Sequence, residues 1–256
     1  MFYYKYPIFE KKKLLRIEML EQMRDYPRNL ERLYMKTMSD GIVSGCDVSW
    51  FDDELVIQPG LLYRAGKIYV MEKEEKCACP PQGKRVFVKV IFSAESRENS
   101  LVTGMGRIQI SDIPAASATE LELCRFHLQN GAKLRCQYES FKDYSTEYNT
   151  LNRIDTPFCD DNDPVLWPKM MEQFAKEMLS KNPVNVTDSI FAMQILGNHG
   201  VCSRTLLVTY LNSRIRNMKK NWNNQELYQE LLNLLNSARE ERGQNESWRS
   251  RKMVII

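Results

Sequence analysis

The run DGIVSGCDVSWFDDELVIQPGLLYRAGKIYVM, Asp40 to Met71, decides the reading of this chain. Short apolar stretches recur in it: Ile42-Val43, Val48 to Phe51, Leu55 to Ile57, Leu61 to Tyr63 and Ile68 to Val70. Between them stand Asp40-Gly41, Asp52-Asp53, Pro59-Gly60 and Ala65-Gly66, whose glycine or acidic residue suits the φ values of tight turns. The pattern predicts a meander of β-hairpins. No residue in it has the company that catalysis needs. Leu61, Tyr63 and Tyr69 are expected to pack this β domain or to meet a neighbouring molecule.

The strand pattern continues outward from this run. Arg85 to Phe92 alternates Val86, Val88, Val90 and Phe92 with Phe87 and Ile91, which predicts a central strand covered on both faces. Leu101 to Ser111 carries Gly104 and Gly106, marks of a bulge or a loose edge. Glu120 to Gln129 alternates and ends at Asn130-Gly131. Together these predict an antiparallel sheet of about six to eight strands, with no alternation of strand and helix to make it parallel. Ahead of it, Leu15, Met19, Leu20 and Met23 make a helical stripe that Pro27 should interrupt. A second short helix is expected from Pro27 to Met35, with Leu30, Leu33 and Tyr34 on one side.

Thr156 to Pro164 combines two prolines with acidic residues and little periodicity, the composition of a linker. Four helices are expected beyond it. The first runs from Val165 to Leu179, capped by Asp163-Pro164, and the second from Thr187 to Leu196, its apolar residues nearly encircling it. The third runs from Ser203 to Lys220, and the fourth starts at Asn223 with Glu226 three positions on and continues to Gly243. The fold class is therefore α+β. Residues 1–150 form a β-rich domain with N-terminal helices, 151–164 a linker, 165–243 an antiparallel helical bundle and 244–256 a tail.

Charge narrows the partners only a little. With 36 basic and 33 acidic residues, the formal net charge of +3 gives no whole-chain case for nucleic acid or an anionic membrane. No stretch approaches the roughly 20 apolar residues of a membrane span, so no membrane contact is expected. The start, Met1 to Pro7, lacks the basic-then-apolar order of a signal peptide, and the seven cysteines are an odd, scattered set that suits reduced thiols. The chain is expected in the cytoplasm.

Enzyme motifs fail on spacing. Gly60 to Gly66-Lys67 leaves five residues where a phosphate loop has four, and Ile68 stands where the hydroxyl residue belongs. Cys77-Ala78-Cys79 has one residue between its thiols and no second pair to complete a tetrahedral zinc site. His199 and Cys202 are near in sequence, but catalysis needs a spatial partner and a third, orienting group that sequence spacing does not supply, and the pair reads as a turn histidine and a buried cysteine at a helix start. No catalytic residue, metal ligand or cofactor is expected. Nucleic-acid binding is the alternative: Arg214, Arg216, Lys219 and Lys220 with Trp222, then Arg249, Arg251 and Lys252 with Trp248, mix cations with aromatic rings. The chain closes on Met253-Val254-Ile255-Ile256, and Val254, Ile255 and Ile256 are expected to add to a partner's sheet or fill its groove.

One family resemblance spans most of the chain. Tyr3 to Phe9, Tyr26-Pro27-Arg28, Ser39 to Gly45, Ile57 to Leu62 and Gly66-Lys67-Ile68-Tyr69, with Glu120 to Phe126 and Ser145 to Leu151, resemble proteins from the tail modules of prophages and phage-tail-like bacteriocins of Gram-positive bacteria. The segment around Pro59-Gly60 also resembles the attachment domains of tail-fibre and baseplate proteins. The resemblance implies a structural tail or baseplate protein, not an enzyme, assembled in the host bacterial cytoplasm and then held in the particle. Its implied partners are other tail or baseplate proteins and copies of itself in a homo-oligomer or symmetric assembly.

Overall fold

The computed structural model describes residues 1–249 except 2, 82, 117, 182–184, 216–218 and 220, and for 238–249 the backbone alone. The expectations for Val254, Ile255 and Ile256 lie outside the described residues, as do those for Arg216, Lys220, Arg251 and Lys252.

All five strands of the opening run are present: β1 (Gly41–Gly45), β2 (Val48–Phe51), β3 (Glu54–Ile57), β4 (Gly60–Arg64) and β5 (Lys67–Met71). Two of the turns are two-residue hairpin loops with left-handed backbone at both positions. Asp52 and Asp53 have φ of 50° and 59°, and Ala65 and Gly66 have 48° and 81°. Gly60 serves a different need, because a Cβ there would sit 2.5 Å from the Cys46 backbone nitrogen. The expected simple meander is not what forms. Strand β1 pairs with β4, and β3 pairs with β6 (Glu75–Ala78), giving two sheets ordered β1-β4-β5 and β2-β3-β6.

The expected central strand is central in a third sheet. Strand β7 (Lys84–Phe92) lies between β10 (Gly106–Ser111) and β11 (Glu120–Leu128), and β8 (Ser96–Glu98) and β9 (Leu101–Thr103) make a separate ribbon. Instead of one sheet of six to eight strands, the described residues form small antiparallel sheets. One face of β7 carries a charge in its middle: Lys89 is 5% exposed, its ammonium 2.9 Å from Glu120 Oε2. Beside it Arg125 chelates Glu122 at 2.6 and 2.8 Å and also reaches Asp155 at 2.7 Å.

Helix α1 (Ile17–Tyr34) is continuous, correcting the expected break at Pro27. Proline removes one backbone donor from a helix interior, and here the helix runs through it on an exposed stretch. Helix α2 (Pro168–Ser180) starts later than expected, with Pro168 in the first turn in place of Pro164. Helix α3 (Val186–Gly197) is buried on one face only: Asp188, Phe191, Ala192 and Ile195 point inward, while Ile190 and Met193 are 60% and 62% exposed. Helix α4 (Arg204–Arg214) ends before the expected Lys220. Helix α5 (Asn224–Arg249) continues past Gly243. It opens on the expected reciprocal cap, with the Glu226 amide donating to Asn223 Oδ1 at 2.8 Å and the Asn223 amide donating to Glu226 Oε2 at 3.0 Å.

Residues 151–164, read as a linker from their prolines and acids, are packed. Leu151, Arg153, Ile154, Thr156 and Phe158 are all buried. The Ile42 amide donates to the Pro157 carbonyl and the Cys159 amide to the Ile42 carbonyl, both at 2.9 Å, so the segment lies beside β1. Here the backbone donors and acceptors of a buried irregular segment are satisfied by a sheet edge. The Arg153 guanidinium is 1% exposed and stacks on Phe158 and Trp167, at 5.2 and 4.7 Å from their ring centroids. One apolar core joins the sheets to the helices, from Ile42 and Leu55 through Phe141, Phe174 and Tyr228 to Leu235.

Candidate functional site

Helix α1 has a clean division of character. Met19, Leu20, Met23, Tyr26, Leu30, Leu33 and Tyr34 share one side at helical spacing, while Glu18, Glu21, Arg24, Asp25, Arg28 and Arg32 occupy the other. An amphipathic helix on a folded body ordinarily turns its apolar side inward. This one does the reverse. No residue of α1 is buried, and Leu30, Leu33 and Tyr34 are 61%, 66% and 74% exposed. Its polar side, through Asp25, Arg28 and Arg32, lines a cleft of about 770 Å³ against the body.

The helix is held at its C-terminal end. Met35 is buried, its carbonyl accepts from the Tyr63 hydroxyl at 2.9 Å, and the Ser39 amide donates to the Asp160 carbonyl at 2.8 Å. Ahead of α1, Tyr3, Tyr4, Tyr6, Ile8 and Phe9 are all exposed, and the rings of Tyr4 and Tyr6 stack at 6.1 Å. Arm and helix each expose large apolar side chains, with the charged run Glu10 to Lys13 between them, more than single folded chains usually leave in water.

Opposite α1, the cleft is lined by β5 and by Gly104 to Gly106, and its deep end reaches Cys46 and Leu123. The charges at its walls are of both signs, and two of them, Lys67 and Glu95, pair with each other. Of the residues expected to make contacts, Tyr69 is half-buried, its ring 4.8 Å from Phe92, and Leu61 is half-buried. Tyr63 is 6% exposed and belongs to the core, where its hydroxyl anchors α1.

The remaining candidates have ordinary structural surroundings. His127 sits within 3.2 Å of the Gly83 carbonyl and against the Tyr148 ring, and His199 occupies a left-handed turn position with φ of 51°. Cys202 is buried, which pushes its thiol up to about 12 and keeps it protonated. Burial likewise pushes Cys79 up to about 11. Among the described residues no group of three or more histidine, cysteine or acidic side chains is arranged to hold a metal ion. No helix among them is long and apolar enough to cross a membrane. Two of the cations considered for phosphate contact are committed to carboxylates: Arg214 Nε lies 2.8 Å from Asp188, and Lys219 2.5 Å from Glu226.

No family model matches the chain, and no curated protein does either. Similarity appears among solved structures. A chain of the TssK-TssF-TssG baseplate subcomplex of the type VI secretion system, determined by cryo-electron microscopy, is 9% identical, with a TM-score of 0.44 over 92% of this chain and 99% of that one. A crystal structure of TssK is 8% identical, with a TM-score of 0.38 over 92% of this chain and 69% of that one. Identity and superposition this low carry no argument about function.

The stripe on α1 was visible in the sequence, but its direction was not. Periodicity tells which residues share a side and says nothing about which side meets the body.

Proposed function

We propose that this chain is a structural, non-enzymatic subunit of a baseplate-like or tail-like assembly, acting through protein contacts made by its N-terminal arm and α1. The observation that carries the reading is the outward apolar side of α1, where no residue is buried and the polar side faces the chain's own cleft. An interior shared by sheets and helices makes the rest of the chain a firm mount for that surface. The sequence resemblance to tail-module proteins of prophages and bacteriocins suggests the finer setting, a tail or fibre-attachment position, with assembly in the cytoplasm.

The test is incorporation into a particle. The full chain, tagged and made in the cell that encodes it, is expected to sediment with a large particle whose other proteins, identified by mass spectrometry, include tube, sheath or baseplate components. Leu33→Asp is expected to leave the chain folded and absent from that particle. A chain that stays in the slow fraction with and without the substitution overturns the reading.

A further inference from the structure

The proposed docking role leaves open what covers α1, and its side-chain pattern favours one occupant. We infer that α1 packs antiparallel against α1 of a second copy of this chain, an inference that rests on the docking reading and names the partner.

Met19, Met23, Tyr26, Leu30 and Leu33 follow one another at steps of four, three, four and three, the spacing that keeps one seam of a helix facing another helix. On one flank of the seam stand Gln22 and Asn29, and on the other Leu20, Pro27 and Tyr34. Charges at these flanking positions decide which partners a helix accepts or rejects. Here both flanks are uncharged, so a second copy meets no like-charge repulsion, and the charged residues all lie on the far side.

The size of the surface fits a stable pair. Leu20, Met23, Tyr26, Leu30, Leu33 and Tyr34 are between 42% and 74% exposed. Together they present roughly 700 Å², close to the ~800 Å² that each partner contributes to an interface of standard size. Orientation follows from shape. Antiparallel pairing gives layers of Met23 on Leu33 and Tyr26 on Leu30, each occurring twice about a two-fold axis, so every large ring meets a leucine and the helix dipoles oppose. Parallel pairing would set Tyr26 on its own copy.

The experiment is sedimentation velocity of the full-length chain over a range of concentrations. The wild-type chain is expected to dimerise. Tyr26→Asp and Leu30→Arg are each expected to weaken the dimer by at least about 100-fold. Because neither side chain is buried, both variants should keep the wild-type circular dichroism, and their unfolding midpoints should match that of the wild-type chain diluted below its dimer dissociation constant. An equimolar mixture of the two variants should dimerise again, since antiparallel packing brings the introduced carboxylate against the introduced guanidinium, whereas parallel packing does not. A wild-type chain that stays monomeric, a dimer indifferent to both substitutions, or a mixture that remains monomeric overturns the inference. A monomeric chain that nevertheless enters a particle through α1 overturns self-pairing alone and leaves the docking role standing. A chain that dimerises through α1 and enters no particle does the opposite.

Discussion

Lys89 lies in the middle of the central strand β7 with 5% of its surface exposed, and the carboxylate that answers its charge comes from Glu120, 31 positions later. Glu120 Oε2 accepts from Lys89 at 2.9 Å and from the Ala116 amide at 2.7 Å. Glu120→Gln would leave the ammonium buried beside a neutral amide. Breaking one side of a fully buried pair costs about 3–5 kcal/mol, and because the Glu120 side chain keeps 14% of its exposure we take about 2.5 kcal/mol. With a urea slope of about 3 kcal/mol per molar, the unfolding midpoint should fall by about 0.8 M at pH 7. Lys89→Met removes the buried charge itself and leaves a carboxylate that still has its amide donor, so it should cost about half as much.

The same pair sets a pH dependence. The hydrogen bond from Lys89, followed by that from the Ala116 amide, holds the Glu120 carboxyl below its ordinary value. A carboxyl depressed in the folded state contributes stability that is complete above the unfolded value of about 4.3 and is lost as pH falls through the folded one. The wild-type midpoint should therefore drop on acidification below about pH 4.3 more steeply than that of Glu120→Gln. Urea titrations followed by circular dichroism at pH 7 and through the acid range measure both effects. A Glu120→Gln midpoint within about 0.2 M of wild type, or a Lys89→Met variant that is the less stable of the two, would refute the reasoning.

Three further substitutions probe local geometry. At Gly60 an added Cβ would lie 2.5 Å from the Cys46 nitrogen and 2.7 Å from the Ser44 carbonyl oxygen, so Gly60→Ala should cost at least about 2 kcal/mol. At Gly66 nothing stands within 4 Å and only the positive φ of 81° is at stake, so Gly66→Ala should cost about 1 kcal/mol; equal losses in a urea titration would refute the distinction. Asn223→Ala removes the acceptor for the Glu226 amide at the start of α5 and should cost about 1 kcal/mol, a fall of roughly 2–4 °C in a calorimetric midpoint. No change in that midpoint would show that the cap is idle.

What could be read from the sequence was local. Asp52-Asp53 and Ala65-Gly66 announced their hairpins because left-handed backbone favours few residue types, and Asn223 with Glu226 announced the start of α5 because a reciprocal cap needs three-residue spacing. What escaped was settled at a distance. Nothing in Ile42 or Leu62 says that β1 pairs with β4 and not with β2, since both candidate partners are apolar and alternating. The burial of Lys89 had no local signal, because the carboxylate that makes it tolerable lies beyond a hairpin and a loop. Pro157, Asp160 and Asp161 have the composition of an exposed connector, yet their segment completes a sheet edge. The mount of the candidate docking helix escaped for the same reason: the Tyr63 hydroxyl and the Met35 carbonyl that hold it are 28 positions apart.

That late segment also sets a timetable. Ser39 and Asp160 are 121 positions apart, and until the later one is made the outer edge of β1 lacks the neighbour it will have in the finished protein. At a synthesis rate of about 10 residues per second the interval is about 12 s, long beside the microseconds in which a hairpin forms. For that time the first sheet is a nascent structure with an open edge, next to an exposed aromatic arm and an outward apolar helix. Premature encounters between nascent chains would therefore compete with completion of the fold, and a cell that makes this protein in quantity has reason to keep neighbouring ribosomes' products apart until residue 160 has emerged.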